Sequence, residues 1–321
     1  MNDPSFPEAE IAPLDEAARA GWLYYVGGKT QDQIARQLGI SRQRAQRLVA
    51  RAVAEGLIHF RLDHRIARCL ELEADLRRLR GLRICRVAPS LGAGSEPVRS
   101  IAPVAAAEME RILDVPDPLV VAVGTGRALR AAVEQIHTFK CPQHRLVSLN
   151  GNISPDGSAS HYDVLMRLAD RVSADQYPMP LPVVASSLEE RELFHSLTPV
   201  RRNVALARQA LITFVGVGHA SDTAPMLRDG FLSEPEFREI QAAGAVGEIV
   251  GWFYDESGQY LDAEPNRRVA GVRVEPPGDS DKLVIGVAAG VEKIAALRGA
   301  ISGRIINGLI TDEDTAAALL A

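Results

Sequence analysis

The stretch TQDQIARQLGISRQRAQRLVAR, residues 30–51, decides how the first part of the chain is built. Thr30 stands where a helix cap is wanted, and Ile34, Ala35 and Leu38 share one face of a helix over Gln31–Leu38. Gly39 supplies the left-handed residue that ends it, and Ser41 caps a further helix running to about Glu55. Upstream, Leu14, Ala17, Ala18, Trp22, Leu23 and Val26 recur at helical spacing until Gly27-Gly28, which predicts a helix before the other two. The pattern is helix, helix, four-residue turn, helix.

In a helix-turn-helix the second helix of the motif enters the DNA major groove, so its outer face needs long donors and its inner face small apolar groups. Ala45, Leu48 and Val49 suit the inner face, while Arg42, Gln43, Gln46 and Arg47 point outward after the Ser41 cap. Arginine pairs bidentately with guanine and glutamine with adenine, whereas Lys29, Thr30, Gln31, Arg44 and Arg51 are better placed for phosphates. The plainer reading is a solvated basic helix. The caps, the Gly39 turn and the small residue at Ala45 all favour DNA over it.

Charge agrees. From Lys29 to Arg68 nine basic residues face three acidic ones, a local net of +6, and the rest of the chain sums to −11. A compact basic module on an acidic protein is the footprint expected when one end meets phosphate and the remainder stays off it. At 321 residues the chain suits a short module plus one large domain. The acidic, Pro-containing start over residues 1–12 reads as a disordered lead-in without a secretory signal, and no apolar run approaches the roughly 18 residues of a membrane span, so a cytoplasmic protein is expected. Cys69, Cys85 and Cys141 are too widely spaced for a metal or redox motif, and the seven histidines form no ligand pattern, so neither metal nor cofactor is expected.

The helix-turn-helix domain is placed at residues 13–65, with Leu57 to Leu62 as a small strand or wing. Over 66–81, Ile66, Leu70, Leu72, Leu76 and Leu79 sit near helical spacing and predict a linker helix, whose stripe packs either on the neighbouring domain or on a second subunit. Across residues 82–321, apolar runs at 82–87, 119–123, 145–149, 211–217, 283–288 and 308–311 alternate with helical stretches, the signature of a parallel sheet in an α/β domain. Ser233-Glu234-Pro235-Glu236 and Thr311-Asp312-Glu313-Asp314 read as helix starts, and Trp252 to Gly258 as a strand entering a hairpin turn.

Leu119 to Val123 runs straight into Gly124-Thr125-Gly126-Arg127 and a helix. Turned-in amides, a helix N-terminus, a hydroxyl and a cation can cradle an anion or a polyhydroxylated group there. Leu129 in the third glycine position excludes a dinucleotide fingerprint. By itself the loop fits a tight turn as well as a ligand site. Other loops should emerge at the same carboxyl edge: Asn150-Gly151-Asn152, Gly216 to His219, and Ala288 to Lys293. Lys293 is one of four lysines in the chain and suits a phosphate or hydroxyl partner, or else a neighbouring acid; Glu248 can accept two sugar hydroxyls or stand as a plain surface carboxylate.

With these segments assembled, the chain from about Leu14 to Leu320 resembles the SorC/DeoR-type family of sugar-responsive bacterial regulators. The resemblance rests on Trp22-Leu23-Tyr24-Tyr25, Gln33-Ile34-Ala35, Leu38 to Arg42, Gly124 to Arg127, Gly230-Phe231-Leu232-Ser233, Gly244 to Glu248, Glu292-Lys293, and Leu309 to Glu313 with Thr315-Ala316. It implies a winged helix-turn-helix plus a C-terminal Rossmann-like α/β effector domain of the sugar-phosphate isomerase and CoA-transferase type. It also implies dimers or tetramers on a palindromic double-stranded DNA operator, and a sugar, polyol or sugar phosphate that alters operator affinity. Effector contacts carry over to Gly124, Thr125, Gly126, Arg127, Asn150, Gly151, Asn152, Glu248 and Lys293. Glu248 stands where the family usually has Asp. The rival expectation is a sugar-phosphate isomerase-like enzyme with an accessory DNA-binding module, using Glu248 with His219 or Asp163 as acid and base.

Overall fold

A computed structural model describes residues 8–58, 66–92, 94–154, 157–158 and 164–321, with side chains from Leu14 onward. The chain divides into two compact units, Met1–Asp63 and His64–Ala321.

The first unit is built on α1 (Glu8–Tyr25), α2 (Gln31–Leu38) and α3 (Arg42–Ala54). Thr30 caps α2 through a reciprocal box: its hydroxyl accepts from the Gln33 amide and Gln33 accepts from the Thr30 amide at 2.8 Å. Gly39, at φ 66°, closes α2, and Ser41 accepts from the Arg44 amide at 3.2 Å to open α3. Ala17, Ala20, Ile34, Ala35, Ala45, Leu48, Val49 and Ala52 form the core. Gly21 lets α1 meet α3: an added Cβ would lie 2.9 Å from that of Ala52. Two expectations change. Helix α1 begins at Glu8 instead of Leu14, because Glu8 to Ala12 are mostly good helix formers, so the lead-in expected to residue 12 ends earlier. Trp22 and Val26, placed on the apolar stripe, are each 62% exposed, since alanines and Gly21 alone fill the narrow gap to α3. Leu57 and Ile58 bend back against the helices, and the rest of the expected wing lies outside the described residues.

The second unit opens with α4 (Ala67–Arg80), β1 (Ile84–Ala88), α5 (Pro97–Leu113), β2 (Val120–Val123), α6 (Arg127–Gln135), β3 (Arg145–Ile153), α7 (Leu165–Val172) and β4 (Asp175–Pro182). It continues with α8 (Leu188–Ser196), α9 (Thr198–Arg208), β5 (Ile212–Gly216), β6 (Gly218–His219), α10 (Pro225–Arg228), α11 (Glu234–Ala242), β7 (Gly247–Ile249) and β8 (Trp252–Tyr254). Last come α12 (Glu264–Arg267), β9 (Leu283–Val287), α13 (Ile294–Ser302), β10 (Gly308–Asp312) and α14 (Glu313–Leu320).

Among the described residues, seven parallel strands form one sheet in the order β1-β10-β9-β5-β2-β3-β4, and β6-β7-β8 form a small antiparallel sheet. Alternation along the strands feeds two cores. Val121, Val123, Ile285 and Val287 face one side with residues of α5, α6 and α7; Ala122 and Val284 face the other with residues of α4, α13 and α14. The stripe on α4 belongs to this second core, with Cys69, Leu72 and Leu76 buried and Leu79 56% exposed. Strand β4 was not expected. Its Pro178, Pro180 and Pro182 contradict strand propensity, yet an edge strand needs donors on one side only. No described helix is long and apolar enough to cross a membrane.

Candidate functional site

On α3, Arg42, Gln43, Arg44, Gln46 and Arg47 are exposed, whereas Ala45, Leu48 and Val49 are buried. The exposed face is lightly tethered. Arg42 lies 3.5 Å from Asp32, Arg44 bonds Glu16 at 2.8 Å, and Arg51 bonds Glu55 at 3.3 Å. Such exposed pairs are worth little in water and exchange readily for phosphates. Lys29, Thr30, Gln31 and Asp32 line a concavity with Arg42 at the start of α2, where the helix N-terminus and two cations favour an anion and Asp32 offsets part of their charge through its pairing with Arg42. Ser41 is occupied as the cap of α3.

The pocket in the second unit follows from strand order. The chain runs β2, β3, β4 in one direction across the sheet, then returns to set β5 on the other flank of β2. Connections leave β2 and β5 in opposite senses, which opens a crevice beyond their carboxyl ends. Two loops fill its floor. Gly124 donates its amide to the Phe214 carbonyl at 2.8 Å, and Gly216 sits so close to the Thr125 carbonyl that a Cβ would come within 2.8 Å. Gly126, at φ 128°, opens α6 without a side-chain cap, so the first amides of that helix face the loop unclaimed by a capping side chain.

Glu248 reaches this region from the small sheet. It pairs with Gly218 across β6 and β7, accepts from the Gly251 amide at 2.7 Å, and packs where a Cβ on Gly218 would meet its Oε1 at 2.0 Å. The β7–β8 connection holds it there: Val250 and Gly251 both have positive φ, 59° and 80°, as a two-residue hairpin turn of primed type requires. From the other side, Gly290 (φ 118°) leads into a 3-10 turn over Val291–Lys293 that delivers Glu292 and Lys293.

These groups set one another's charge. Burial pushes the Glu248 carboxyl above its usual range, opposed by the Gly251 amide and by Lys293. Burial pulls the Lys293 ammonium down, opposed by Glu248 and Glu292 and aided by Arg127. His219, 4% exposed, is also held down by burial and then by Lys293, despite Glu292 at 3.8 Å. Its Nδ1 bonds the Ser221 hydroxyl at 2.7 Å. The pocket thus holds two carboxylates, two cations, an imidazole with lowered pKa, the Thr125 hydroxyl and backbone donors. That mixture offers acceptors and donors side by side, as a polar ligand carrying both kinds of group requires.

The structure brings Gly124, Thr125, Gly126, Arg127, Glu248 and Lys293 into this one region. Asn150 stands two residues past the Ser148 that pairs with the last residue of β2; it is 5% exposed, and its Oδ1 has no hydrogen-bond partner among the described residues. Gly151 serves packing: a Cβ would lie 2.2 Å from the Pro182 carbonyl oxygen and 2.4 Å from that of Leu181. Asn152 is half-buried further along β3, and no hydrogen bond among the described residues joins it to the Glu248–Lys293 group. His219 and Glu292 were not among the expected contacts, although each sat in a loop singled out after a strand. Asp163 lies outside the described residues. No group of three His, Cys, Asp or Glu among the described residues is arranged to hold a metal.

A three-helix unit with a basic reading helix, joined to a doubly wound α/β unit with a polar crevice at its switch point, defines a class: DNA-binding proteins that carry a sugar-binding domain. The MarR family profile matches residues 20–66, and the Sugar-bind profile, a sugar-binding domain, matches residues 64–321. The erythritol catabolism regulatory protein EryD of Brucella abortus is 34% identical over 304 residues, covering 95% of this chain and 96% of its own. The transcriptional regulator LsrR of Escherichia coli K12 is 32% identical over 326 residues, covering 100% and 99%. The crystal structure of the full-length sorbitol operon regulator SorC of Klebsiella pneumoniae superposes with a TM-score of 0.71 at 25% identity, over 99% of this chain and 100% of that one. The chain belongs to the SorC/DeoR-type family of sugar-binding transcriptional regulators.

Proposed function

We propose that this protein represses a polyol or sugar catabolic operon and that a polyol, sugar or sugar phosphate bound at the β2–β5 crevice changes its grip on the operator. The observation that carries the reading is the convergence of the Gly124–Arg127 loop, Glu248 and Lys293 at the switch point. In this reading Arg42, Gln43, Gln46 and Arg47 face base edges, and Lys29, Thr30, Gln31, Ser41, Arg44 and Arg51 face the phosphates. Gly124 to Arg127 hold one end of the effector, Asn150 accepts from a hydroxyl, and Glu248 and Lys293 take the hydroxyls of the far end, with Gly151 and Asn152 shaping the wall. The effector acts only through a difference in affinity between operator-competent and incompetent states. The protein works in the cytoplasm as a dimer or tetramer on a palindromic duplex.

A polyol is the favoured effector, because the names of the relatives EryD and SorC refer to erythritol and sorbitol. The reading also makes the chain a regulator without catalysis. In this reading the free oxygen of Glu248, whose other oxygen accepts from the Gly251 amide, meets an effector hydroxyl, and His219 Nδ1 is taken up by Ser221.

Thermal-shift measurements against tetritols, pentitols, hexitols and their phosphates test this reading. An effector at 100-fold its dissociation constant stabilises by about 2.7 kcal/mol. Thr125→Ala and Lys293→Ala are expected to erase that shift while sparing DNA binding. Turnover of a sugar phosphate, abolished in Glu248→Gln, would overturn the regulator reading.

A further inference from the structure

A second cavity, of about 410 Å³, lies within the same unit and shares none of its lining with Gly124 to Arg127, Asn150, Glu248 or Lys293. Trp252 forms its floor, 7% exposed, with its indole N–H donating to the Gly271 carbonyl at 3.3 Å. Two guanidinium groups lie over this one ring: Arg191 at 5.6 Å and Arg273 at 5.7 Å from the centroid. Arg208 and His195 complete the wall. The balancing negative charge is small. Glu275, bonded to Arg273 at 2.8 Å, is the one carboxylate among the described lining residues. The Arg208 guanidinium makes no hydrogen bond or ion pair with any described side chain, although its carbonyl accepts from Lys282.

Burial lowers the Arg191 pKa, Glu192 outside the cavity opposes the shift, and Arg273 adds a smaller push downward. His195, whose Nε2 pairs with the Ala270 carbonyl at 2.8 Å, is held down by burial and then by Arg191 and Arg208. Arg191 donates to the Val269 carbonyl at 2.7 Å and Arg273 to Glu275, so three arginines around the aromatic floor face a single carboxylate among the described lining residues. Guanidinium forks match carboxylate and phosphate oxygens, and a partly desolvated site strengthens that attraction. The volume suits a small molecule.

We propose that this cavity is a second ligand site, for a small multiply charged anion of the phosphate or polycarboxylate class, held by Arg191, Arg208 and Arg273 over Trp252. Such a site makes the protein responsive to an anionic metabolite as well as to its polyhydroxylated effector.

Trp252 is one of only two tryptophans in the chain, so Trp22→Phe leaves it as the sole indole reporter. That variant is titrated with inorganic pyrophosphate and, separately, with citrate, against sodium chloride of equal ionic strength. A saturable change in Trp252 emission with either anion, absent with chloride, is expected, and the responding anion assigns the class. Adding Arg208→Gln and Arg273→Gln is expected to weaken the apparent affinity at least about tenfold, since each removes a charge-assisted bond. Both side chains are exposed and outside the core; if the double change impairs folding, Arg208→Gln alone carries the comparison. No saturable change with either anion, or unchanged affinity in the arginine variants, would overturn the proposal.

Discussion

Gly218→Ala tests the pocket through one methyl group. The new Cβ would lie 2.0 Å from Glu248 Oε1, 2.7 Å from Cδ and 2.8 Å from Cγ, all inside the 3.4 Å of ordinary contact. Gly218 has no positive φ, so the backbone accepts alanine without torsional strain and the clash falls on a flexible side chain. Glu248 therefore swings away and gives up the Gly251 amide at 2.7 Å. A hydrogen bond to a charged acceptor is worth about 1.5–3 kcal/mol, and release of a carboxylate that burial had disfavoured offsets part of the loss. The net cost is about 1 kcal/mol, or about 2–4 °C in Tm for a unit of this size. The effector loses its acceptor entirely, so its apparent affinity falls about ten- to a hundredfold. The assay is fluorescence anisotropy of a labelled operator, titrated with polyol at fixed protein. Operator affinity without polyol should match the wild type. A normal polyol response in Gly218→Ala, with the variant folded, would refute the placement of Glu248 in the effector site.

Gly151→Ala should cost more stability, about 3 kcal/mol, because its Cβ meets the carbonyl oxygens of Pro182 and Leu181, which are backbone and cannot move aside; a denaturation midpoint equal to wild type would contradict the β3–β4 packing. His219 has its pKa lowered in the folded state, so below about pH 6.5 the unfolded chain binds more protons and stability falls with acidification. His219→Gln should therefore flatten the fall in Tm between about pH 6.5 and 5, and a profile parallel to wild type would show that His219 does not set it. Arg42→Ala and Gln43→Ala should each cost roughly 1–3 kcal/mol on the preferred duplex and relax sequence preference, whereas Arg51→Ala should weaken all duplexes about equally. Equal losses on preferred and random DNA for all three would remove α3 from base reading.

What could be read from the sequence was what local physics decides. Thr30, Gly39 and Ser41 are caps whose partners lie within a few residues, so both ends of α2 and the start of α3 were legible to the residue, and the end of α3 to within one. Six of the seven strands in the main sheet announced themselves as apolar runs, because a parallel strand covered on both faces is apolar throughout. Features set by long-range context were not legible. Strand β4 hides behind three prolines that only an edge position tolerates, and the turn that aims Glu248 uses Val250 at φ 59°, where sequence rules expect Asn or Gly. The α4 stripe suited two partners equally until Cys69, Leu72 and Leu76 were seen in the sheet's own core. In the site, the Gly124–Arg127 loop was visible as a strand-to-helix turn, whereas Glu248 and Lys293 read equally well as ligand groups or as plain surface charges until the family resemblance favoured the first. His219 entered only as a partner of Glu248 in the rival enzyme reading, because a histidine after a Gly-Val-Gly turn carries no signature of its own; its burial beside Lys293 becomes apparent only in three dimensions.

The most direct test of the account is the operator dissociation constant of the full chain, measured by anisotropy on a duplex selected from a random pool, with and without each polyol and sugar phosphate. The account predicts that the chain selects a palindromic site and that at least one compound shifts the constant about tenfold or more, with no compound consumed. Failure to select any duplex, or a site whose affinity no compound alters, would contradict it.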